Sequence, residues 1–503
     1  MPSRRRAPKA LFEIELIPAA KGSRAAAQNL YRQLRDAIHD GRLPAGARLP
    51  ATRAAQTHFG VSRNTAAEVY ERLLNDGLLL ARGGSGTFVA EARPASPRKT
   101  ARRKVAAARV NPFWLRDDVR AAIGFWRDDA APAAVGERVI DLRPALVDSR
   151  LFPHDVFRRV ATQQLRAQER KPAALKSPQG NQGNYHLRAA IVKQIALTRA
   201  VACAPDDVLV TAGAQQAFDL LARVLVIPGE TIVAVEDPGY PPMRVAFAAA
   251  GAKLVPVGVD AEGLRVDAIP SGARVICLCP SHQFPLGVTM SARRRRALLE
   301  FARDTGAVVV EDDYDGEFRY DASPLAALRT PAAADRVFYV GTFSKCMLPS
   351  LRLGFVVAPE WALPSLIAAK NCLDWHCPTP LQTMVAAFIA EGRLARHVRR
   401  MRQVYQQRRD LLLAQLRARF ARQLEPIASA YGMHISAFAR GDVDVERVAQ
   451  RLAQRGVKVH SLGRYYLGGD ARPGLVFGYG AVDLGDIRRG MDALAEALTP
   501  ADR

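Results

Sequence analysis

Apolar positions along this chain change period twice. From residue 29, "NLYRQLRDAIHDGRL" sets Leu30, Leu34, Ala37 and Ile38 at helical spacing and stops at Gly41 and Pro44. The following stretch, "LPATRAAQTHFGVSRNTAAEVYERLLNDG", predicts a short helix, a turn at Phe59-Gly60-Val61 and a second helix opening at Ser62, a good N-cap residue. In that second helix Ala66, Val69, Tyr70, Leu73 and Leu74 share the buried face, so Arg63, Asn64 and Thr65 project from the first turn. After Gly77, "LLLARGGSGTFVA" predicts two short strands joined by a glycine-rich wing.

From about residue 140 the pattern becomes β-branched runs separated by helical segments: "DVLVTAG", "ETIVAVEDPGY", "KLVPVGVD", "RVICLCP", "AVVVEDDYD" and "RVFYVGTFSK". Buried strands alternating with helices predict an α/β domain on a mostly parallel sheet. In such sheets ligands collect at the carboxyl ends of strands. Between the two patterns, residues 91–139 show no periodic apolar face. They open with "EARPASPRKTARRKVAAARV" and have no acidic residue from 92 to 116. This stretch reads as a basic flexible linker, with "NPFWLRDDVRAAIGFW" its one segment suited to local docking.

Composition adds three constraints. A chain of 503 residues is too long for one core and predicts roughly three structural units. No apolar run approaches the ~18 residues of a membrane span, and "ALFEIELIPAA" is broken by Glu13 and Glu15, so a cytoplasmic protein with no membrane partner is expected. The six cysteines form no CxxC pair, and Cys372 and Cys377 flank His376 without a second cluster, so neither a disulfide scaffold nor a metal site is expected.

Charge is uneven. The formal net charge is +23, and residues 1–110 hold 21 Lys and Arg against 8 Asp and Glu. More than half of the excess in about a fifth of the chain points to a polyanion partner for that end. Residues 28–90 resemble the winged helix-turn-helix of GntR-type regulators through "AGARLPATRAAQ", "GVSRNT" and "SGTFV", with Thr52 where that family more often has serine. The partner is then double-stranded operator DNA. Ser62 caps the recognition helix, Arg63 is suited to guanine and Asn64 to adenine, and Thr65 stands beside them. The resemblance further implies contacts from Arg53 and from the wing residues Gly86 and Thr87.

Candidate chemistry gathers at the strand ends of the second pattern. Thr211-Ala212-Gly213 leads into a helix opening at Ala214 and Gln215, a seat for an anion. Asp312 and Tyr314 end one strand, Tyr240 another, and Lys345 follows a third. Burial lowers the pKa of a lysine, so its amine can attack a carbonyl and form a Schiff base. Pyridoxal 5'-phosphate matches the whole set. Arg352, Thr342, Ser344 and the amides at Ala214 and Gln215 suit its phosphate. Asp312 suits its ring nitrogen, Tyr314 its ring hydroxyl and Tyr240 its face.

Residues from about 140 to 500 resemble the aspartate aminotransferase family of fold type I pyridoxal phosphate enzymes. The wording "PSHQFPLG", "EDDYDGEFRY", "GTFSKCMLPSLRLGF" and "EGRLARHVRRMRQVYQQRRDLL" is similar to the MocR subgroup, in which a GntR-type reader is fused to that fold. By that resemblance Lys345 is the Schiff-base lysine, and the cofactor site lies between the subunits of a homodimer. Three departures stand out. Phe284 replaces the asparagine that bonds the ring oxygen in the enzymes, leaving His282 or Gln283 to substitute. "SPQGNQGNYHLR" lacks a tyrosine that helps hold the phosphate from the partner subunit. The strand "LVFGYG" has no arginine for a substrate carboxylate, leaving Arg472 just upstream.

The expected architecture is multidomain: a winged helix-turn-helix over 1–90, the linker over 91–139, and an α/β fold type I domain over 140–503 ending in a small α+β subdomain, about 380–503. Two functional readings follow. One is a transcriptional regulator that senses pyridoxal phosphate, or an amine forming an external aldimine with it; γ-aminobutyrate, taurine and D-amino acids are candidate effectors. The other is an aminotransferase with an accessory DNA-binding arm. The complete winged helix and the missing tyrosine and carboxylate clamp favour the regulator. A catalyst must orient its substrate tightly, whereas a sensor needs only different affinities in its two states.

Overall fold

The computed structural model describes residues 24–82, 85–90, 110–126, 139–169, 180–321, 325–427, 429–468 and 471–499. It divides into two compact units, the first ending at Val110 and the second starting at Asn111. No helix among the described residues is long and apolar enough to cross a membrane.

The first unit runs α1 (Arg24–His39), α2 (Thr52–Phe59), α3 (Arg63–Asn75), β1 (Leu79–Arg82) and β2 (Gly86–Val89). Its core is built from the apolar stripe of each helix, with Leu30, Leu34, Phe59, Val69 and Leu73 meeting Leu79 and Val89. The Ser62 hydroxyl accepts from the Thr65 amide at 3.0 Å and so caps α3. Tyr70 ties α3 to the turn before α2, its hydroxyl donating to the Pro50 carbonyl at 3.0 Å. β1 and β2 pair antiparallel, Leu79 opposite Val89 and Arg82 opposite Gly86.

The second unit opens with α4 (Asp117–Ile123), flanked by short 3-10 turns at Pro112–Leu115 and Gly124–Trp126. These residues lie inside the stretch expected as linker, whose segments 91–109 and 127–138 are outside the described residues. Val119, Ala122 and Phe125 are buried against the second unit, which explains why this part is structured. The chain continues through β3 (Ile140–Asp141), α5 (His154–Glu169), α6 (Tyr185–Arg199), β4 (Val208–Thr211), α7 (Ala214–Leu225), β5 (Ile232–Asp237), α8 (Pro241–Ala249), β6 (Lys253–Asp260), β7 (Gly263–Leu264) and β8 (Ala273–Leu278). Then come α9 (Ala292–Thr305), β9 (Val308–Asp313), β10 (Val337–Thr342), β11 (Gly354–Val357), α10 (Leu363–Leu373), α11 (Thr379–Ala390) and α12 (Arg393–Phe420). Last are β12 (Leu424–Pro426), β13 (His434–Ala439), α13 (Val445–Gln454), β14 (Val457–Lys458), β15 (His460–Ser461), β16 (Gly474–Gly478) and α14 (Leu484–Leu498).

One eight-stranded sheet organises this unit, in the order β4-β11-β10-β9-β8-β5-β6-β7. β10, β9, β8, β5 and β6 run parallel, and they coincide with five of the six apolar runs in the sequence. The sixth run is β4, which reaches the sheet through the antiparallel β11. β11 follows β10 after a short connection, and a connection that short returns the chain antiparallel. A second, antiparallel sheet, β12-β13-β16-β15, lies in the last 80 residues. Its residues Leu424, Ile435, Leu475 and Phe477 share one continuous core with Val208, Val210, Phe318 and Phe355. The region expected as a small subdomain therefore has its own sheet but not its own separate core.

Candidate functional site

Strand alternation sorts the side chains at the end of β9. Successive residues face opposite sides, so Asp312 and Tyr314 turn the same way. Asp313 turns to the other side, where it pairs with buried Arg199 at 2.7 Å. Asp312 and Tyr314 line a cavity of about 620 Å3 at the carboxyl ends of the parallel strands. The structure brings Ala214, Gln215, Tyr240, Thr342, Ser344, Lys345 and Arg352 to the same cavity, as the sequence led us to expect.

Lys345 is half-buried, and its ammonium donates to the Ala145 carbonyl at 2.6 Å. Burial pulls its pKa down to about 8, against the opposing pull of Asp315 and Asp312. Asp312 shows the converse: burial, reinforced by Asp313, pushes its carboxyl up to about 7. Its Oδ2 faces the Cys279 thiol at 3.7 Å, while Oδ1 is buried without a hydrogen-bond partner among the described residues. A buried acceptor in that state is costly until a donor reaches it. A protonated ring nitrogen would be such a donor.

The anion end is built by a glycine. Gly213 has φ +79° and precedes α7, whose first N–H groups have no partner within the helix. A Cβ at Gly213 would fall 2.8 Å from Arg352 Nη2, so only glycine lets the guanidinium lie over the helix start. Arg352 donates to the Ala212 carbonyl at 3.0 Å, and the Thr342 and Ser344 hydroxyls bond each other at 3.0 Å beside it. Gly213→Ala is expected to fold with stability lowered by about 1 kcal/mol and to bind pyridoxal phosphate roughly tenfold more weakly. Thermal melts and equilibrium dialysis check the two effects separately. The donor set thus fits pyridoxal phosphate at three points: an amine of lowered pKa, a partnerless buried carboxylate oxygen and an arginine over a helix start.

Two residues fall differently from the sequence expectation. His282 does not line the cavity; it stands behind Tyr314, whose hydroxyl lies 2.7 Å from its Nδ1. Arg472 also lies away from the cavity lining, stacked 3.6 Å from the centroid of the Phe438 ring. Besides Arg352, the arginine that lines the cavity is Arg143, held by Asp141 at 2.8 Å. Sequence reasoning also missed Ala122 and Ile123 of α4 in the cavity wall. Phe125, just beyond, packs edge-on to Tyr240 with ring centroids 6.2 Å apart. Phe284, in the place of the enzymes' asparagine, meets Tyr240 and Tyr314 edge-on at 5.7 and 5.6 Å and offers no polar atom.

In the first unit, Arg63 and Asn64 are exposed on the first turn of α3, and Arg53 is exposed on α2. Ser62 and Thr65 are engaged with each other, hydroxyl to hydroxyl at 2.8 Å, so their part is to hold that turn. Gly86 opens β2 and Thr87 is half-buried opposite Ala81. Two further cations sit on this wing: Arg48 and Arg82 lie over the Phe88 ring at 6.0 and 5.3 Å.

Comparison with known proteins places both halves. Residues 26–89 match the family described as bacterial regulatory proteins, gntR family, and residues 150–472 match aminotransferase class I and II. The chain is 35% identical over 474 residues to the probable rhizopine catabolism regulatory protein MocR of Rhizobium meliloti, covering 94% of this chain and 93% of that one. It is 34% identical over 491 residues to the HTH-type transcriptional regulator TauR of Rhodobacter capsulatus, covering 96% and 99%. Among solved structures, the α-aminoadipate aminotransferase LysN of Thermus thermophilus, in complex with N-(5'-phosphopyridoxyl)-L-leucine, is similar with a TM-score of 0.65 and 29% identity, covering 72% of this chain and 92% of that one.

Proposed function

The chain belongs to the MocR-type regulators, GntR-type DNA readers fused to an aminotransferase class I and II domain, and from that membership we propose that its second unit senses pyridoxal phosphate, or an amine reaching Lys345, and thereby sets how the first unit holds its operator. It is a pyridoxal phosphate-dependent, DNA-binding transcriptional regulator. The observation that carries the sensing role is the cavity itself, in which Lys345, Asp312 and Arg352 each present the group one part of the cofactor requires.

When bound, pyridoxal phosphate supplies a carbonyl that can be handed from one amine to another. Lys345 offers an amine that gives up its proton far more readily than an exposed lysine, because burial holds its pKa near 8. Arg352, Thr342, Ser344 and the start of α7 hold the phosphate, and Tyr240 covers the ring face. Asp312 holds a proton at the ring nitrogen, and Tyr314 donates to the ring oxygen. Arg143 is the cation placed to meet an acidic group on an incoming amine. On the DNA side, Arg63 and Asn64 read base edges while Arg53 and the wing hold the backbone.

The protein acts as a homodimer, with a second copy covering the exposed Arg352 side of the cavity. The test is a fluorescence anisotropy titration of its own promoter fragment, using protein stripped of cofactor and then reloaded. Pyridoxal phosphate, or an amine added after it, is expected to change the dissociation constant at least about fivefold, a coupling of about 1 kcal/mol. An unchanged constant in every ligand state would remove the sensing role.

A further inference from the structure

The cavity resident Tyr314 is backed by two side chains that do not themselves reach the cavity. His282 and Asp315 are 2% exposed each. Nδ1 of His282 lies 3.0 and 3.2 Å from the two Asp315 oxygens and 2.7 Å from the Tyr314 hydroxyl. One ring nitrogen thus faces three oxygens from two residues, and valence decides how they share it. A carboxylate only accepts, so Nδ1 must carry the hydrogen; a lone pair there would face the Asp315 charge. The Tyr314 oxygen then accepts from the same N–H, and the phenol's own hydrogen is left for the cavity. Nε2 agrees with this assignment. It is buried without a partner among the described residues, which suits a lone pair and would waste an N–H.

The imidazole is wedged as well as bonded. Gly432, at φ +80°, lies so close that a Cβ there would come within 1.8 Å of His282 Cε1, and a Cβ at Gly287 would come within 3.2 Å of Nε2. His434 tilts against the ring at a centroid distance of 4.7 Å. On the far side the Phe284 ring supplies no hydrogen bond. Of the two tyrosines lining the cavity, Tyr240 is assigned to the ring face, which leaves Tyr314, two residues from Asp312, to serve the ring oxygen.

We propose that Asp315 and His282 are positioning residues that act in series, Asp315 fixing the His282 tautomer and His282 holding Tyr314 as a donor to the ring oxygen of pyridoxal phosphate. This rests on the reading of the cavity as the cofactor site. The dyad replaces the hydrogen bond that Phe284 cannot make, by sharpening the one Tyr314 does make. The other titratable groups facing the three are Asp312 on β9 itself, Cys279 just beyond β8, Glu317 and Tyr320 on the segment after β9, His434 and Tyr479 from the antiparallel sheet, and Lys345 across the cavity. Burial drives the Tyr314 phenol well above its ordinary pKa, so it keeps its proton to give.

Asp315→Asn keeps the shape and removes the charge that fixes the proton order. An amide can either accept from Nδ1 or donate to it, so the imidazole hydrogen is no longer held on Nδ1 and the Tyr314 hydroxyl can turn back toward His282. A donor to the ring oxygen favours its deprotonated form, so losing it raises the pH at which the bound cofactor's visible absorption band converts. In cofactor-loaded full-length protein, Asp315→Asn is expected to raise that midpoint by about one unit. Tyr314→Phe should raise it at least as far, and the double variant should match Tyr314→Phe alone. His282→Asn, whose amide N–H falls near the Nδ1 position, should hold the midpoint closer to wild type than His282→Gln.

A midpoint unmoved by Asp315→Asn, or shifts of Asp315→Asn and Tyr314→Phe that add, would overturn the series arrangement. A wild-type protein that takes up no pyridoxal phosphate at all would instead overturn the cavity reading, and this inference with it.

Discussion

Lys345→Ala is expected to abolish covalent retention of pyridoxal phosphate while leaving the chain folded. The alanine removes the amine and its bond to the Ala145 carbonyl but touches none of the buried apolar core. Arg352, Thr342, Ser344 and the α7 start remain, so a weak phosphate-dependent affinity should persist, lower by at least about 100-fold, on the order of 3 kcal/mol. Borohydride treatment followed by peptide mass analysis reads this directly: the wild type should carry a reduced pyridoxyl group on Lys345, and the variant none anywhere. The pH dependence gives a second readout. The neutral amine is the reactive form, and with its pKa near 8 its fraction rises through that pH and levels off by about pH 9. An ordinary exposed lysine, near 10.4, would still be climbing there. Equal labelling of wild type and variant would move the site to a different lysine.

Arg63→Ala should weaken binding to the operator by about 1–3 kcal/mol, roughly 5- to 150-fold, while binding to an unrelated duplex of equal length falls much less. Arg63 is exposed at the first position of α3, and the Ser62 cap does not depend on it, so thermal stability should hold within about 0.5 kcal/mol. Anisotropy titrations on the two duplexes at one salt concentration separate the outcomes. Equal losses on both would mean that Arg63 touches only phosphates and that base reading belongs elsewhere on α3.

Much of this was legible in the chain because it rests on local signals. Gly60, Ser62 and the Ala66/Val69/Tyr70/Leu73 stripe announce the recognition helix, and the buried β-branched runs announce β4, β5, β6, β8, β9 and β10. Lys345, Asp312, Tyr314 and Tyr240 were readable for the same reason: each follows such a run closely. What stayed hidden depends on contacts distant in sequence. Arg143 reaches the cavity because the two-residue strand Ile140–Asp141 pairs with Val457–Lys458, more than 300 residues away. α4 reads as a docking segment within the linker, but its seven residues carry too few apolar positions to show a face; Tyr240, His460 and Tyr465 around Phe125 show where it docks. His282 was assigned to the cofactor from its place near Phe284. That Tyr314 stands between it and the cavity follows from strand register, which one sequence does not disclose.

Asp312 carries an oxygen with no hydrogen-bond partner among the described residues, which a ring nitrogen of the cofactor would supply. By mass action, a ligand that binds the folded chain alone stabilises it by about 2.7 kcal/mol at a hundredfold excess over its dissociation constant. The fraction of chains transiently unfolded, and so open to proteases, falls by about the same hundredfold. A cell short of pyridoxal phosphate would then keep fewer copies of this regulator, so that cofactor supply governs its abundance as well as its conformation.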